Sequence, residues 1–581
     1  MKKLLIYLKD YKKETVLAPL FKLLEASFEL LIPLVVAAMV DKGIGQGDLS
    51  YIYQMGGVMA GLAVVGLIAS VSAQFFAAKA AVGFSTGLRS ALFSHIQSLS
   101  YTEIDTLGTS TLITRLTSDV NQVQSGVNMT LRLFLRSPFI VLGAMAMAFT
   151  VDVRCALIFL WVIPLLCVVV FGIMALTMPM YRQVQKRLDG VLCHTRENLT
   201  GIRVIRAFHK EKEEALEFHR KNEELTGMQL AVGKISALMN PVTYVVINLG
   251  LVALIYTGAM QVNVGNLTQG QVIALVNYIS QILVELIKLA NLIVLITKAL
   301  SCADRINSVF EIKSSMQEEG TAKVSEGGTE PVIEFRQASF CYAGAGEESL
   351  SKIDFCAYPG ETIGIIGSTG SGKTTLVNLI GRFYDATSGE VIYHGKNVKE
   401  YPLEELRSHM GIVPQKAVLF QGTIKSNLLW GNEQATAEEL QEALLVSQAE
   451  EFVSKMEKKI DSPVSQGGKN FSGGQRQRLT IARALVRKPE ILILDDSMSA
   501  LDYATDAKLR RALLQYRPET TTFLVSQRTS SIQHADRILV LEDGKMAGVG
   551  THEELLASCQ VYQEIYDSQY RKPEEREKQY E

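Results

Sequence analysis

The chain has 581 residues, 58 Lys plus Arg against 60 Asp plus Glu, a net charge of −2, and 48% hydrophobic residues. That length calls for more than one domain, and a near-neutral charge gives no electrostatic footprint for a nucleic-acid partner. The hydrophobic share, with a positive mean hydropathy, is unusual for a chain that works wholly in water.

The first residues, Met1-Lys-Lys-Leu-Leu-Ile-Tyr-Leu, have too short an apolar run for a signal peptide and meet Lys9-Asp-Tyr-Lys-Lys13 with no small-residue cleavage site. Residues 1–13 read instead as an amphipathic helix on the inner membrane surface. Six apolar stretches follow, at roughly 15–40, 52–80, 130–151, 155–178, 239–262 and 271–299. Each reaches the ~20 residues that cross a ~30 Å hydrocarbon core as a helix. Short connections near 41–51, 151–154 and 263–270 hold almost no cations beyond Lys42 and Arg154. The long segments 81–129 and 179–238 are polar and helix-patterned, and the second carries Arg182, Lys186, Arg187, Arg196, Arg203, Arg206, Lys210 and Lys212. Retention of positive charge inside puts the long segments and both termini in the cytoplasm.

Ionisable residues within the apolar stretches are Glu25 and Glu29, four apart on the first, and Glu285 with Lys288 on the sixth. Such groups are costly in lipid and default to function. They suit a pathway for amphipathic or cationic molecules; the other reading pairs Glu285 with Lys288 and turns Glu25 and Glu29 toward a partner subunit. The cysteines at 155, 167, 193, 302, 341, 356 and 559 show no metal spacing and read as reduced, small apolar residues. Residues 312–330, rich in Gly, Ser, Glu and Thr, read as a linker.

Beyond the linker, Gly367-Ser368-Thr369-Gly370-Ser371-Gly372-Lys373-Thr374 fits G-x-x-x-x-G-K-[ST]. The apolar run Thr362–Ile366 ahead of it reads as a buried strand, and Thr375–Ile380 behind it as a helix start. In that setting glycines let backbone N–H groups converge on phosphate, and the helix N-terminus adds partial positive charge. Lys373 is expected to reach the β- and γ-phosphates of a nucleoside triphosphate and the Thr374 hydroxyl to ligate Mg²⁺. Ile491–Leu494 is a second apolar strand, ending in the carboxylate of Asp495.

Phe471-Ser472-Gly473-Gly474-Gln475, followed by Arg476 to Arg483, resembles the signature of ATP-binding-cassette (ABC) proteins, with Phe in the usual Leu position. Ser499–Asp502 resembles their D-loop, Val413-Pro-Gln415 their Q-loop, and Tyr342 stands where the family stacks adenine. The resemblance covers the C-terminal half. With six spans and long inner loops ahead of it, the whole chain resembles a half-subunit of an ABC exporter. Gly108–Asp119 and Glu197–Phe208 resemble the family's force-transmitting intracellular loops.

The implied fold is a six-span α-helical membrane domain (1–311), a linker (312–330), an α/β P-loop cassette (331–570) and a charged tail (571–581). The implied cofactors are ATP and Mg²⁺. Implied nucleotide contacts are Tyr342, Gly367 to Thr375, Gln415, Ser472, Gly473, Gly474 and Gln475; implied Mg²⁺ ligands are Thr374, Gln415 and Asp495. The implied setting is the plasma membrane, with its lipid, a second half-transporter, and a hydrophobic or amphipathic substrate.

Two positions depart from the family. Asp496 stands where a glutamate positions the attacking water, and Gln527, in Leu524-Val-Ser-Gln527, stands where a switch histidine does. Asp is one methylene shorter, about 1.5 Å of reach, and a ~1 Å misplacement costs roughly 10²-fold in rate. Gln527 can donate a hydrogen bond but cannot become an imidazolium. Gln466 is a softer departure, near the usual glutamate ahead of the signature. The pattern resembles the degenerate-site subunit of bacterial heterodimeric multidrug exporters, with an ATP site that binds better than it hydrolyses and a signature serving the partner's site. A slow homodimeric exporter of lipid, peptide or drug, or a siderophore importer of the same fold, is the alternative.

Overall fold

The computed structural model describes residues 3–316, 320–324 and 330–570. It divides into two compact units: Met1–Gln97 with Ser110–Ile312, and Ser98–Thr109 with Lys313–Glu581. The expected linker is described at 312–316, 320–324 and 330, and the expected tail 571–581 lies outside the described residues.

Among the described residues six helical stretches are long and apolar enough to cross a membrane: Leu4–Ile44, Leu49–Gln97, Thr109–Val151, Val153–Thr200, Glu211–Asn263 and Gln269–Glu311. The expected spans fall inside them, one each. The first stretch is built on α1 (Lys12–Ala38), which buries Ala18, Lys22, Ala26, Leu30, Pro33 and Ala37. Its neighbour α2 (Leu49–Gln97) buries Ala69, Ala73, Ala77, Ala80, Ala81 and Phe84. Spacings of three and four with mostly small side chains let two helices approach closely along i±4 ridges. Leu4–Tyr11 leads helically into α1; Leu4 is buried and Tyr7 and Tyr11 lie over Gly87 and Gly83 of α2. The described part of the expected surface helix is thus packed on α2.

The third stretch ends in α3 (Arg136–Val151), and Asp152 breaks the chain there before capping α4 (Val153–Thr200) by accepting from Cys155 N–H at 2.7 Å. The sixth is α5 (Gln269–Glu311), opened by a Thr268–Gln271 capping box.

Here the intramembrane charges find partners. Arg136 of α3 donates to Glu29 of α1 at 2.6 Å and to Glu285 of α5 at 2.7 Å; Lys288 and Ser137 also donate to Glu285, at 2.8 Å each. Lys22 pairs with Glu25 at 2.5 Å and reaches Ser70 of α2 at 3.3 Å. The pairing of Glu285 with Lys288 is as read, but Glu25 and Glu29 are paired within this chain, so they are not left free to meet a cationic substrate or a partner. Arg136 and Lys22, which pattern reading passed over, neutralise them.

In the other unit the sheet order explains where loops converge. Strands β1 (Ile333–Phe340), β2 (Leu350–Ala357), β4 (Ser388–Tyr393) and β5 (Lys396–Asn397) form an antiparallel sheet ordered β2-β1-β4-β5. A second sheet is ordered β10-β9-β3-β8-β7-β6, from β3 (Thr362–Gly367), β6 (Met410–Val413), β7 (Ile491–Asp495), β8 (Thr521–Val525), β9 (Arg537–Glu542) and β10 (Lys545–Gly550). In it β3, β6, β7, β8 and β9 run parallel. All five residues of β7 and five of six in β3 are buried, as strands covered on both faces require. Ligands in such sheets bind beyond the carboxyl ends of the strands; β3, β7 and β8 end at Gly367, Asp495 and Val525.

Residues 98–109 pack in this unit. Their helix, Tyr101–Leu107, is opened by a reciprocal Ser100–Glu103 capping box. The Tyr101 ring sits 5.0 Å from that of Phe383 and 6.1 Å from Tyr384, whose hydroxyl donates to Asp105 at 2.6 Å. The packed residues lie immediately ahead of the loop 108–119 picked out in the sequence.

Candidate functional site

Strand β3 delivers Gly367 to a tight loop that feeds the helix α6 (Lys373–Ile380). Gly370 (φ 88°) and Gly372 (φ 94°) hold left-handed backbone that favours glycine. A Cβ on Gly372 would also meet the Ser349 carbonyl oxygen at 2.6 Å, whereas one on Gly370 would meet nothing within 4 Å. Gly372 gives α6 no side-chain cap, so the helix starts without the usual acceptor for its first amides. A phosphate is one group that satisfies such a start.

Lys373 is buried, and its ammonium turns back on the loop, donating to the carbonyl oxygens of Gly367 at 2.9 Å and Ser368 at 2.5 Å and to Ser371 Oγ at 3.3 Å. Among the described residues it has no ion pair. Burial lowers its pKa, against the pull of the Asp496 and Asp495 charges. Asp495, buried at the end of β7, accepts from Thr374 Oγ1 at 3.2 Å. Burial raises its carboxyl above the ordinary range, opposed by the Thr374 bond and the Lys373 charge and helped by neighbouring Asp496. Each buried charge has neutral hydrogen-bond partners only, which is costly unless a ligand completes the set.

A cleft of about 350 Å³ brings the predicted residues together: Tyr342, Thr369, Gly370, Gly372, Lys373, Thr374, Thr375, Gln415, Asp495, Asp496 and Gln527 line it, with Ser349, Val525 and Ser526 in addition. Gly367, Ser368 and Ser371 form the loop behind its wall; Ser371 is itself buried. Tyr342 shares a 3.1 Å hydrogen bond with Thr375 Oγ1, while its ring is set edge-on against Phe340 and Tyr384. The hydroxyl, carboxylate and amide of Thr374, Asp495 and Gln415 fit the oxygen preference of Mg²⁺, which uses few protein ligands alongside substrate phosphates.

Asp496 has left-handed backbone (φ 46°), fixed by its N–H donating to Val525 O at 3.1 Å. Its carboxylate accepts from the Gln415 amide at 3.4 Å. Gln527 follows β8, and its carbonyl accepts from Gln569 Nε2 at 2.8 Å; Gln569 Oε1 in turn accepts from Thr529 N and Oγ1 at 2.9 Å each. Gln569, on the last described helix, braces the loop from 42 residues away, and no local signal marks it.

The signature stands elsewhere. Ser472 caps α7 (Gly473–Val486) and forms a reciprocal capping box with Gln475. Neither they nor Gly473 and Gly474 line the cleft. Gly474 instead faces the D-loop, where a Cβ would meet Ala500 O at 3.1 Å. Phe471, in place of the usual leucine, is buried with its ring 6.3 Å from Phe452. Gln466 lies in a short turn away from the cleft.

Two family models match the chain: ABC transporter transmembrane region over residues 15–286, and ABC transporter over residues 350–499. The uncharacterized ABC transporter ATP-binding protein YfiB of Bacillus subtilis (strain 168) is 39% identical over 98% of this chain and 99% of its own length. The chain belongs to the ABC transporter family. Another relative at similar distance is the uncharacterized ABC transporter ATP-binding protein Rv1273c of Mycobacterium tuberculosis (strain H37Rv), 38% identical over 97% of both chains. The probable multidrug resistance ABC transporter ATP-binding/permease protein YheH of B. subtilis is 34% identical over 83% of this chain and 72% of its own. In fold the chain is similar to a bacterial Atm1-family ABC exporter solved with ATP bound: TM-score 0.79, 21% identity, 97% of this chain and 99% of the other. As an ABC transporter with six membrane-spanning helices and one cassette, it is a multi-pass membrane protein that works with a second such half and binds ATP with Mg²⁺.

Proposed function

We propose that this chain is one half of a heterodimeric exporter of amphipathic molecules in the plasma membrane, with both termini cytoplasmic, and that its own ATP site binds nucleotide but hydrolyses it weakly. In this reading Lys373 and the loop from Gly367 to Thr375 hold the phosphates, Tyr342 stacks the adenine, and Thr374, Gln415 and Asp495 hold Mg²⁺. Asp496 and Gln527 occupy the places of the water-positioning glutamate and the switch histidine. Ser472–Gln475 completes the partner's site.

The observation that carries the reading is that Asp496 and Gln527 line the same cleft as Lys373, Thr374 and Asp495. The predicted phosphate-loop, adenine and Mg²⁺ residues meet there beside the two positions that depart from the family's water-handling pair, which supports binding without efficient hydrolysis. Asp496 is also tied at its carboxylate to Gln415 and at its backbone to β8, so it has little freedom to make up the missing methylene. Loss of general-base help is worth typically 10²–10⁴-fold. The place of the signature outside this cleft supports its use by a second subunit. The multidrug name of YheH supports an amphipathic cargo.

The test is the ATPase rate of this chain purified alone against that of the chain with a partner half carrying Glu and His at these positions. Near silence alone and turnover together is the expected result. Turnover of several per second alone, with transport to match, leaves the homodimeric exporter standing instead.

A further inference from the structure

The helices of the membrane unit line an open cavity of about 970 Å³, bounded by residues from the third to sixth spanning stretches. Its apolar lining includes Ile173, Met174, Met178 and Val294. Its charged lining comprises Asp119, Arg182, Lys298 and Arg305. Asp119 accepts from Arg305 at 2.5 and 3.1 Å and from Arg115 at 2.8 Å, so the single carboxylate is cancelled. Arg182 and Lys298, both exposed at its rim, have no hydrogen bond or ion pair among the described residues. The hydroxyls of Thr177, Thr297 and Ser301 are spent on carbonyls of their own helices.

The unspent charge in this cavity is positive. It also sits at a boundary: Arg182 lies just past the apolar run 155–178 and Lys298 at the end of 271–299. An apolar body among the methionines would place a head group beside these two cations. Elsewhere in the bundle the carboxylates that would attract a cation, Glu25, Glu29 and Glu285, are neutralised by Lys22, Arg136 and Lys288. We infer that this half's share of the transport route receives amphipathic anions, with the head group held by Arg182 and Lys298. The inference rests on the export reading for its biological sense, but not for the binding itself.

The experiment is equilibrium binding of taurocholate, below its micelle concentration, and of tetraphenylphosphonium to the assembled transporter in phosphatidylcholine nanodiscs, with ATP-driven transport followed in parallel in sealed phosphatidylcholine proteoliposomes. Taurocholate should bind more tightly than tetraphenylphosphonium. Arg182→Gln with Lys298→Gln should weaken taurocholate about tenfold, Arg182→Lys should retain most of the affinity, and Arg182→Glu with Lys298→Glu should reverse the order of the two probes. Adding phosphatidylglycerol distinguishes the source of the anion: competition with taurocholate identifies a membrane lipid head group, and no competition a free amphipath. Tighter binding of tetraphenylphosphonium by the unmodified protein, binding of neither probe, or taurocholate affinity indifferent to the double Gln variant overturns the inference. Absence of ATP-driven transport with the order of binding intact would remove the export reading and leave the anion site.

Discussion

Two buried cations in this protein have opposite surroundings. Arg136, in the membrane unit, is clamped between Glu29 and Glu285, and Lys288 and Ser137 also donate to Glu285, while the Arg136 Nε is buried without a partner. Lys373, in the cassette, has only two carbonyl oxygens and a hydroxyl. Burying an ion is repaid only by excellent geometry and full hydrogen bonding. Arg136 has most of that inside the chain, so its network joins three helices and asks for no ligand. Lys373 lacks it, and burial pulls its pKa down, so its compensation has to come from a bound anion. The contrast separates a charge kept for architecture from one kept for a nucleotide.

Arg136→Leu leaves Glu285 buried with less compensation and should cost roughly 3–5 kcal/mol of stability, read as unfolding of the purified protein, and pairing it with Glu285→Leu should recover part of that. Lys373→Ala should do the reverse: thermal stability hardly changes, while ATP affinity at this chain's own cleft falls about 10- to 100-fold, the value of hydrogen bonds to a charged group. If Lys373→Ala unfolds the protein as Arg136→Leu does, or two nucleotides still bind per dimer with unchanged affinity, the distinction is wrong.

Under the proposed function Ser472→Ala or Gly474→Asp should lower the ATPase of the assembled transporter more than Asp496→Asn does, because the first two would damage the partner's hydrolysing site and the third a site proposed to hydrolyse weakly. An Asp496→Asn protein that loses all activity while the signature variants keep theirs would reverse the assignment. The smallest effect is expected at Tyr384→Phe, which removes one hydrogen bond to Asp105 and should cost about 0.5–1.5 kcal/mol of cassette stability.

What the sequence made legible was local. Apolar runs of membrane length, a strand–loop–helix around Lys373 and an apolar strand ending at Asp495 each lie in one window of chain, and the structure has all of them. What it hid was pairing at a distance. Arg136 meets carboxylates 107 and 149 residues away, and Tyr384 meets Asp105 across 279. Periodicity carries no trace of such partners, so Glu29 and Glu285 read as candidates for substrate when they are spent on Arg136. Gln569 escaped for the same reason: a glutamine on an amphipathic helix gives no sign that it braces the loop of Gln527.

The proposed cleft holds ATP without acting on it efficiently, and the most direct measurement is hydrolysis at that cleft after repair. In the assembled transporter, with the partner's own site disabled, single-turnover ATP cleavage should be barely detectable for the unmodified chain. It should rise with Asp496→Glu and Gln527→His together, by some part of the 10²–10⁴-fold that a placed base supplies. Cleavage already fast in the unmodified chain, and unmoved by the repair, would contradict it.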